Sequence, residues 1–458
     1  MGDAIQRSGF ERLLALFTSV RAGEGRCVAI LSLQAFLLMV AYYLIRPVRE
    51  ALILTHGGAE LRSYAVGVQA LLLILIIPLY GALVRHADPG RMYQRVHAFF
   101  IACLLIFFAL GQAGFRFGFV FFVWASIFGV VAVTQFWAFA TDLFNTGSGQ
   151  RLFGIIAIGV SAGAWAGARI AAAGFEAFGP YGLMLASAFV LLAVIGLCPH
   201  ARVAVPAAAR CQQGSGASTA ATGGAARWLG GFMLIGRSRY LVGIAALVVL
   251  LNWITSTGDY VLSSWLVDVA RREAPGSPDV FIGRFMGNYC ATITMVAFLV
   301  QLLLVSRVIL LAGLARALMV TPVAFVAGYL LIGVVPVFML LQSVLVVQRG
   351  LDYSLLNTAR NALLLPASRE VKYQAKTAID TFFYRAGDLL STLSVFVGIR
   401  LFAEGRMQFL WMIFVLSATM ALVAWLVGRE YSRRYGAADA SAAGGALADG
   451  GPRVVLAQ

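Results

Sequence analysis

Apolar runs of roughly 17–25 residues recur along the whole chain, separated by short polar breaks such as HGGAELRS (56–63) and RHADPGR (85–91). Runs of that length are what an α-helix needs to cross the hydrocarbon core of a bilayer. The pattern predicts twelve spans, near 27–50, 62–84, 97–113, 116–142, 151–174, 181–198, 240–266, 281–305, 307–333, 335–350, 374–401 and 408–428. Two stretches break the rhythm. Residues 199–227 are rich in Ala, Gly, Ser and Thr, and GAADASAAGGALADGG (436–451) repeats that composition. Such segments have no apolar face to pack and read as linker and tail. The expected organisation is an N-terminal segment (1–26), a first six-helix half (27–198), a linker (199–238), a second six-helix half (239–430) and a flexible tail (431–458).

Composition agrees with the pattern. The 458 residues are 61% hydrophobic and 12% charged, against about 25% charged in a soluble domain. The net charge of +15 therefore points to topogenic charge beside a membrane and away from nucleic acid. With the N-terminus inside, the tails and even-numbered loops carry about 24 basic residues and the odd-numbered loops about 9. That asymmetry puts both termini and the linker in the cytoplasm, and no cleavable signal peptide is evident. The expected location is a bacterial inner membrane, since the Arg and Ala bias suggests a GC-rich bacterial genome.

Five scattered cysteines and four scattered histidines show no metal-ligand spacing, and no nucleophile–base pair is visible. An enzyme, a cofactor and a metal site are therefore not expected. The glycines Gly159, Gly163 and Gly167, spaced by four, read as a small-residue face for close helix packing. Trp124, Trp137, Trp253 and Trp265 read as packing or interfacial residues.

Ionisable groups within spans are costly and face the interior of a bundle, so they mark candidate sites. Arg46, Arg49 and Glu50 end the first span. Asp142 ends the fourth and Arg151 opens the fifth, which also holds Arg169. Asp259 lies in the seventh, where Thr255 and Ser256 are candidate partners. The stretch REVKYQAKTAIDTFFYRAGD (369–388) holds the only two lysines, Lys372 and Lys376, among 33 arginines, and then Asp380, Arg385 and Asp388. On a helix, Lys372, Lys376, Asp380, Tyr384 and Asp388 form one drifting polar stripe. One reading is a structural network, with Lys376 bound to Asp380, Arg385 to Asp388, and Asp142 capping a helix or bridging to Arg151. The other is an anion site in which Arg46, Arg49, Arg151, Lys372, Lys376 and Arg385 meet substrate. Glu50, Asp142, Asp259, Asp380 and Asp388 would then couple or gate.

The two halves are weakly alike. FWAFATDLFNTGSGQRLFG (136–154) and YSLLNTARNALLLPASREVKYQAK (353–376) each run from an aromatic helix through a polar end and short loop to a basic residue opening a new helix. This fits two parallel six-helix repeats, as in the major-facilitator architecture, with substrate between the halves.

"RPVREALILTH" followed by "GGAEL", then "FWAFATDLFNTGSGQRLFG" and "LLLPASREVKYQAKTAIDTFFYRAGD", resemble the ATP/ADP translocase (nucleotide transporter) family over roughly residues 27–430. The resemblance implies a twelve-helix, major-facilitator-like carrier whose basic cavity residues meet phosphates. The positions that match are Arg46, Arg49, Arg151, Lys372, Lys376, Asp380 and Arg385. Charged residues expected in the family's second, fifth and eighth spans are mostly absent or displaced.

The fold expected is thus an all-α polytopic membrane protein of about twelve transmembrane helices. The leading function is alternating-access transport, by a monomer, of an organic anion such as a nucleotide or other phosphorylated metabolite. The alternatives are a proton-coupled carrier of a neutral or cationic solute, with Asp259 and Asp380 as proton sites, and a membrane scaffold or sensor that moves nothing.

Overall fold

The computed structural model describes residues 24–84, 88–205, 224–365, 374–402 and 405–448, and these are almost entirely helical. Among them, nine helices are long and apolar enough to cross a membrane. Two of the nine are double-length. Helix α1 (Gly25–Val84) turns back at Gly58, where φ is 68° and ψ is −172°. Helix α4 (Thr146–Ala204) does the same at Gly179, with φ 61° and ψ −175°. That left-handed backbone is cheap only for glycine, so one residue reverses the chain where a longer loop would otherwise be needed. Helices α2 (Pro89–Gln112) and α3 (Gly118–Leu143) lie between them. A short helix, α5 (Gly224–Arg237), precedes α6 (Arg239–Glu273), α7 (Pro278–Val300), α8 (Ser306–Ala312) and α9 (Leu314–Val334). Then come α10 (Phe338–Leu351), α11 (Asn357–Leu363), α12 (Lys376–Ala378), α13 (Tyr384–Phe402) and α14 (Arg406–Ala448).

π-Helical segments interrupt the later helices at Gln301–Val305, Asp352–Leu356 and Ile379–Phe383. The first links α7 to α8, so the eighth span runs to Ala312 and the break expected near residue 306 falls at Gly313 (φ 76°). The second joins α10 to α11. The tenth span, expected to end at residue 350, therefore continues to Leu363, and its polar residues lie within it. The third span also starts earlier than expected, at Pro89, because Asp88 caps it by accepting from the Gly90 backbone N–H at 3.2 Å. Helix also covers Gly224–Arg237 in the stretch read as linker, and α14 carries on to Ala448 in the Ala-rich tail, in keeping with alanine's high helix propensity.

The chain divides into two compact units, one of residues 1–62, 79–222 and 267–294, the other of residues 63–78, 223–266 and 295–458. In the first, Gly159, Gly163 and Gly167 of α4 lie against α1. A Cβ at Gly159 would meet the Ser32 carbonyl oxygen at 2.6 Å, and one at Gly167 the Val40 Cα at 2.8 Å. The small-residue face is thus a backbone-to-backbone seam. An aromatic cluster of Phe100, Phe107, Phe121, Trp124 and Phe128 packs α2 on α3, with Trp124 stacked on Phe128 at 5.7 Å. In the second unit, Gly387 of α13 makes the equivalent approach to α6, where a Cβ would meet the Val249 carbonyl oxygen at 2.6 Å.

Candidate functional site

Two charge clusters stand out, one in each unit. In the first, Pro47 removes one backbone donor from α1 just before Arg49 and Glu50. Glu50 is only 5% exposed. Arg62 reaches its Oε2 at 2.6 Å through Nε, and Arg49 reaches its Oε1 at 3.3 Å. Arg49 also donates to the Ser126 hydroxyl at 2.7 Å and lies 4.7 Å from the Phe122 ring centroid. Arg46 donates to the Tyr43 hydroxyl at 3.2 Å. Arg62 shares this carboxylate because the Gly58 turn brings it back to Glu50.

Arg151 sits elsewhere in the same unit. It forks onto Glu24, with Nη2 to Oε1 at 2.9 Å and Nη1 to Oε2 at 3.2 Å. Ser148 adds a third bond to that carboxylate, which is 3% exposed. Asn145 caps α4 by accepting from the Ser148 N–H at 2.9 Å. The bridge and cap expected of Asp142 are thus supplied by Glu24 and Asn145. Asp142 is exposed at the end of α3, within electrostatic reach of Arg202 and Asp88. Arg202 donates to Asp88 at 2.6 Å, and this bond holds the Asp88 carboxyl below the usual carboxylate range. Arg169 donates to Asn288 of α7 at 2.5 Å, and Arg284 pairs with Glu176.

The second cluster runs across α6, α10–α11 and α13. Arg385 binds Asp388 at 3.1 Å, as the i, i+3 spacing predicts. Asp388 is 6% exposed and also accepts from Ser256 at 2.7 Å. Asp259 is bound by Arg349 at 2.5 Å, and the same guanidinium donates to the Thr255 carbonyl at 3.3 Å. The partners expected for Asp259 serve other groups: Ser256 bonds Asp388, and the Thr255 hydroxyl bonds the Asn252 carbonyl at 3.3 Å. Asp380 meets Arg360 at 3.4 Å, in place of the Lys376 that the spacing points to. Lys376 is half-buried at the start of α12, and Lys372 lies outside the described residues. Asp352, absent from the sequence expectations, lies within electrostatic reach of Arg349 and Arg360 and also of Tyr384.

Two carboxylates of this cluster, Asp352 and Asp380, lie in π turns. A π turn loosens the backbone ladder, and such turns concentrate at functional sites. The arrangement couples three helices through pairs that share neighbours: Arg349 and Arg360 each have Asp352 within electrostatic reach besides the acid they bind. Among the described residues no three His, Cys, Asp or Glu side chains converge as metal ligands would.

No family profile matches the chain, and no curated protein matches it. Solved structures do. A mutant form of the nucleoside transporter NupG superposes with a TM-score of 0.66 at 13% identity, covering 88% of this chain and 99% of that one. An auto-inhibited POT-family peptide transporter gives 0.60 at 13% identity, over 90% and 97%. A bacterial homologue of the human lysosomal transporter Spinster, inward-facing and unoccupied, gives 0.58 at 14% identity, over 91% and 99%. The chain has the major-facilitator fold shared by these multi-pass membrane proteins.

Proposed function

We propose that the chain is a secondary active transporter working by alternating access, and that the α6/α10/α13 cluster is its coupling element. One observation carries this reading. Each of Arg349, Arg360 and Arg385 is bound to a carboxylate on the same or a neighbouring helix, with π turns at Asp352 and Asp380. Charged groups within a membrane protein serve solute or ion pathways unless a structural role accounts for them, and a cluster of exchangeable pairs is what a two-state element needs. Arginines already neutralised are poorly placed to capture an anion, which favours a proton-coupled carrier of a neutral or cationic solute. Asp259, Asp380 and Asp388 are the proposed coupling carboxylates. The NupG and POT likenesses, to carriers of nucleosides and peptides by their descriptions, are consistent with this reading.

A second reading has its own support. The Glu50 cluster sets Arg46, Arg49 and Arg62 around one carboxylate, a local cation excess suited to an organic anion. Nucleotide exchange is its most specific form. Both readings keep the proposed orientation, with the termini in the cytoplasm.

The test is transport by the purified protein in liposomes, with nucleosides, nucleotides, sugar phosphates and small peptides on a panel. Uptake driven by an imposed pH gradient, and lost in Asp388→Asn, supports the first reading. Exchange that ignores the gradient and needs an anion on the far side replaces it with the second. No movement of any solute under either condition counts against transport itself.

A further inference from the structure

A cavity of about 570 Å³ lies in the second unit, outside the charge cluster. Its walls are apolar and come from α5, α6, α14 and the π turn before α13, with Phe232, Ile235, Ala246, Trp253, Phe383 and Val423 among them. The cavity is built by a docking event. Gly230 and Gly231 bring α5 against Gln374 and Ala378, and a Cβ at Gly231 would meet the Gln374 carbonyl oxygen at 2.7 Å. This seats Phe232 against Phe382 with ring centroids 4.8 Å apart and closes one wall.

The rim is basic. Arg237, next to the lining residue Gly236, and Arg239, at the start of α6, are both exposed. Neither has a carboxylate partner among the described residues. The nearby Arg434, stacked 5.6 Å from Tyr240, is held by Glu430. An apolar slot on membrane-spanning helices beneath a pair of exposed arginines suits one class of molecule: an acyl chain carrying an anionic headgroup.

We propose that this groove binds an anionic phospholipid, with one acyl chain in the cavity and the phosphate at Arg237 and Arg239. The groove reaches the candidate coupling element through Phe383. That residue ends the π turn containing Asp380 and is followed by Tyr384 and Arg385. An occupied groove would hold that turn in place.

The test uses the full chain in detergent, with thermal unfolding followed on addition of phosphatidylglycerol, phosphatidylcholine of the same chains, or inorganic phosphate. A ligand of the folded state raises the transition temperature by mass action. The expected result is a larger shift with phosphatidylglycerol than with phosphatidylcholine and none with phosphate alone. That excess is lost in the double variant Arg237→Gln, Arg239→Gln, whose sites are exposed and so spare the fold. Brominated-chain phosphatidylglycerol is expected to quench tryptophan fluorescence, and Trp253→Phe to remove a distinct part of the quenching. An equal shift with both lipids, an excess that survives the double variant, a shift with phosphate alone, or quenching unchanged by Trp253→Phe would each overturn the proposal. None of these outcomes depends on whether the protein transports anything.

Discussion

The Glu50 cluster and the Asp388 cluster use the same chemistry to opposite ends. In the first, a single buried carboxylate is bonded by Arg49 and Arg62 and lies in the field of Arg46. Glu50 is the one acid that Arg49 and Arg62 share, and the aromatic face of Phe122 packs against both. In the second, carboxylates and guanidiniums alternate over three helices, and Asp352 stands between two arginines that each bind another acid. A cluster with one shared partner is a lock. One whose arginines have a second carboxylate within reach can re-pair, which is the kind of element a conformational cycle uses.

The sharpest way to break that contrast is to remove the shared acid. Glu50→Ala strands buried guanidiniums and is expected to destabilise the protein by about 3–5 kcal/mol, read from denaturation in detergent. Asp388→Ala is expected to cost less, about 1–3 kcal/mol, because Asp388 bonds one arginine where Glu50 bonds two. Equal losses from the two variants would end the distinction. Gly163→Val tests the seam that places the first cluster on α1, since its Cβ would run into the Phe36 backbone. A loss of about 1–3 kcal/mol is expected from overpacking, whereas Gly154→Ala, where nothing lies within 4 Å, is expected to be silent. Ser256→Ala removes one neutral donor from Asp388 and is expected to cost about 0.5–1.5 kcal/mol, with a change in any proton-driven uptake larger than the stability change suggests.

The smallest effect lies outside both clusters. Asp88 has a lowered folded-state pKa through its bond from Arg202, so its contribution is present above the unfolded value, about 3.9, and is lost as pH falls through the folded value. Both side chains are well exposed, so Asp88→Asn is expected to cost less than about 1 kcal/mol at neutral pH. The gap between variant and parent is expected to close below about pH 4. A gap that widened in acid would mean that Asp88 acts through another group.

The spans were legible in the sequence because membrane helices announce themselves by length and apolarity. So was what is local: the Arg385–Asp388 pair follows from spacing alone, as does the glycine seam of α4. The misses share a different cause. Arg62 reaches Glu50 only because one glycine reverses the chain between them. Glu24 lies just before the first apolar run, where it reads as part of a tail. Arg349 and Asp352 flank residue 350, where hydropathy ends the tenth span, since polar residues normally close a membrane helix. The π turns, which keep that helix going and set Asp380 beside Arg360, leave no signature in hydropathy. A four-residue stripe drawn through 372–388 assumes an unbroken α-helix, and the turn at Ile379–Phe383 breaks that register.

Those turns also bear on how this sequence can vary. A helix with a π turn holds one residue more than the α-helix covering the same length. Losing a residue from an ordinary helix rotates everything beyond it by about 100° and turns a packed face outward. Losing one from Asp352–Leu356 or Ile379–Phe383 lets the turn relax to α geometry while the flanking segments keep their faces. Among the membrane helices described, these are places where a lineage can gain or shed a single residue without redrawing the bundle. The residues that such an event would delete or re-aim include Asp352 and Asp380 themselves.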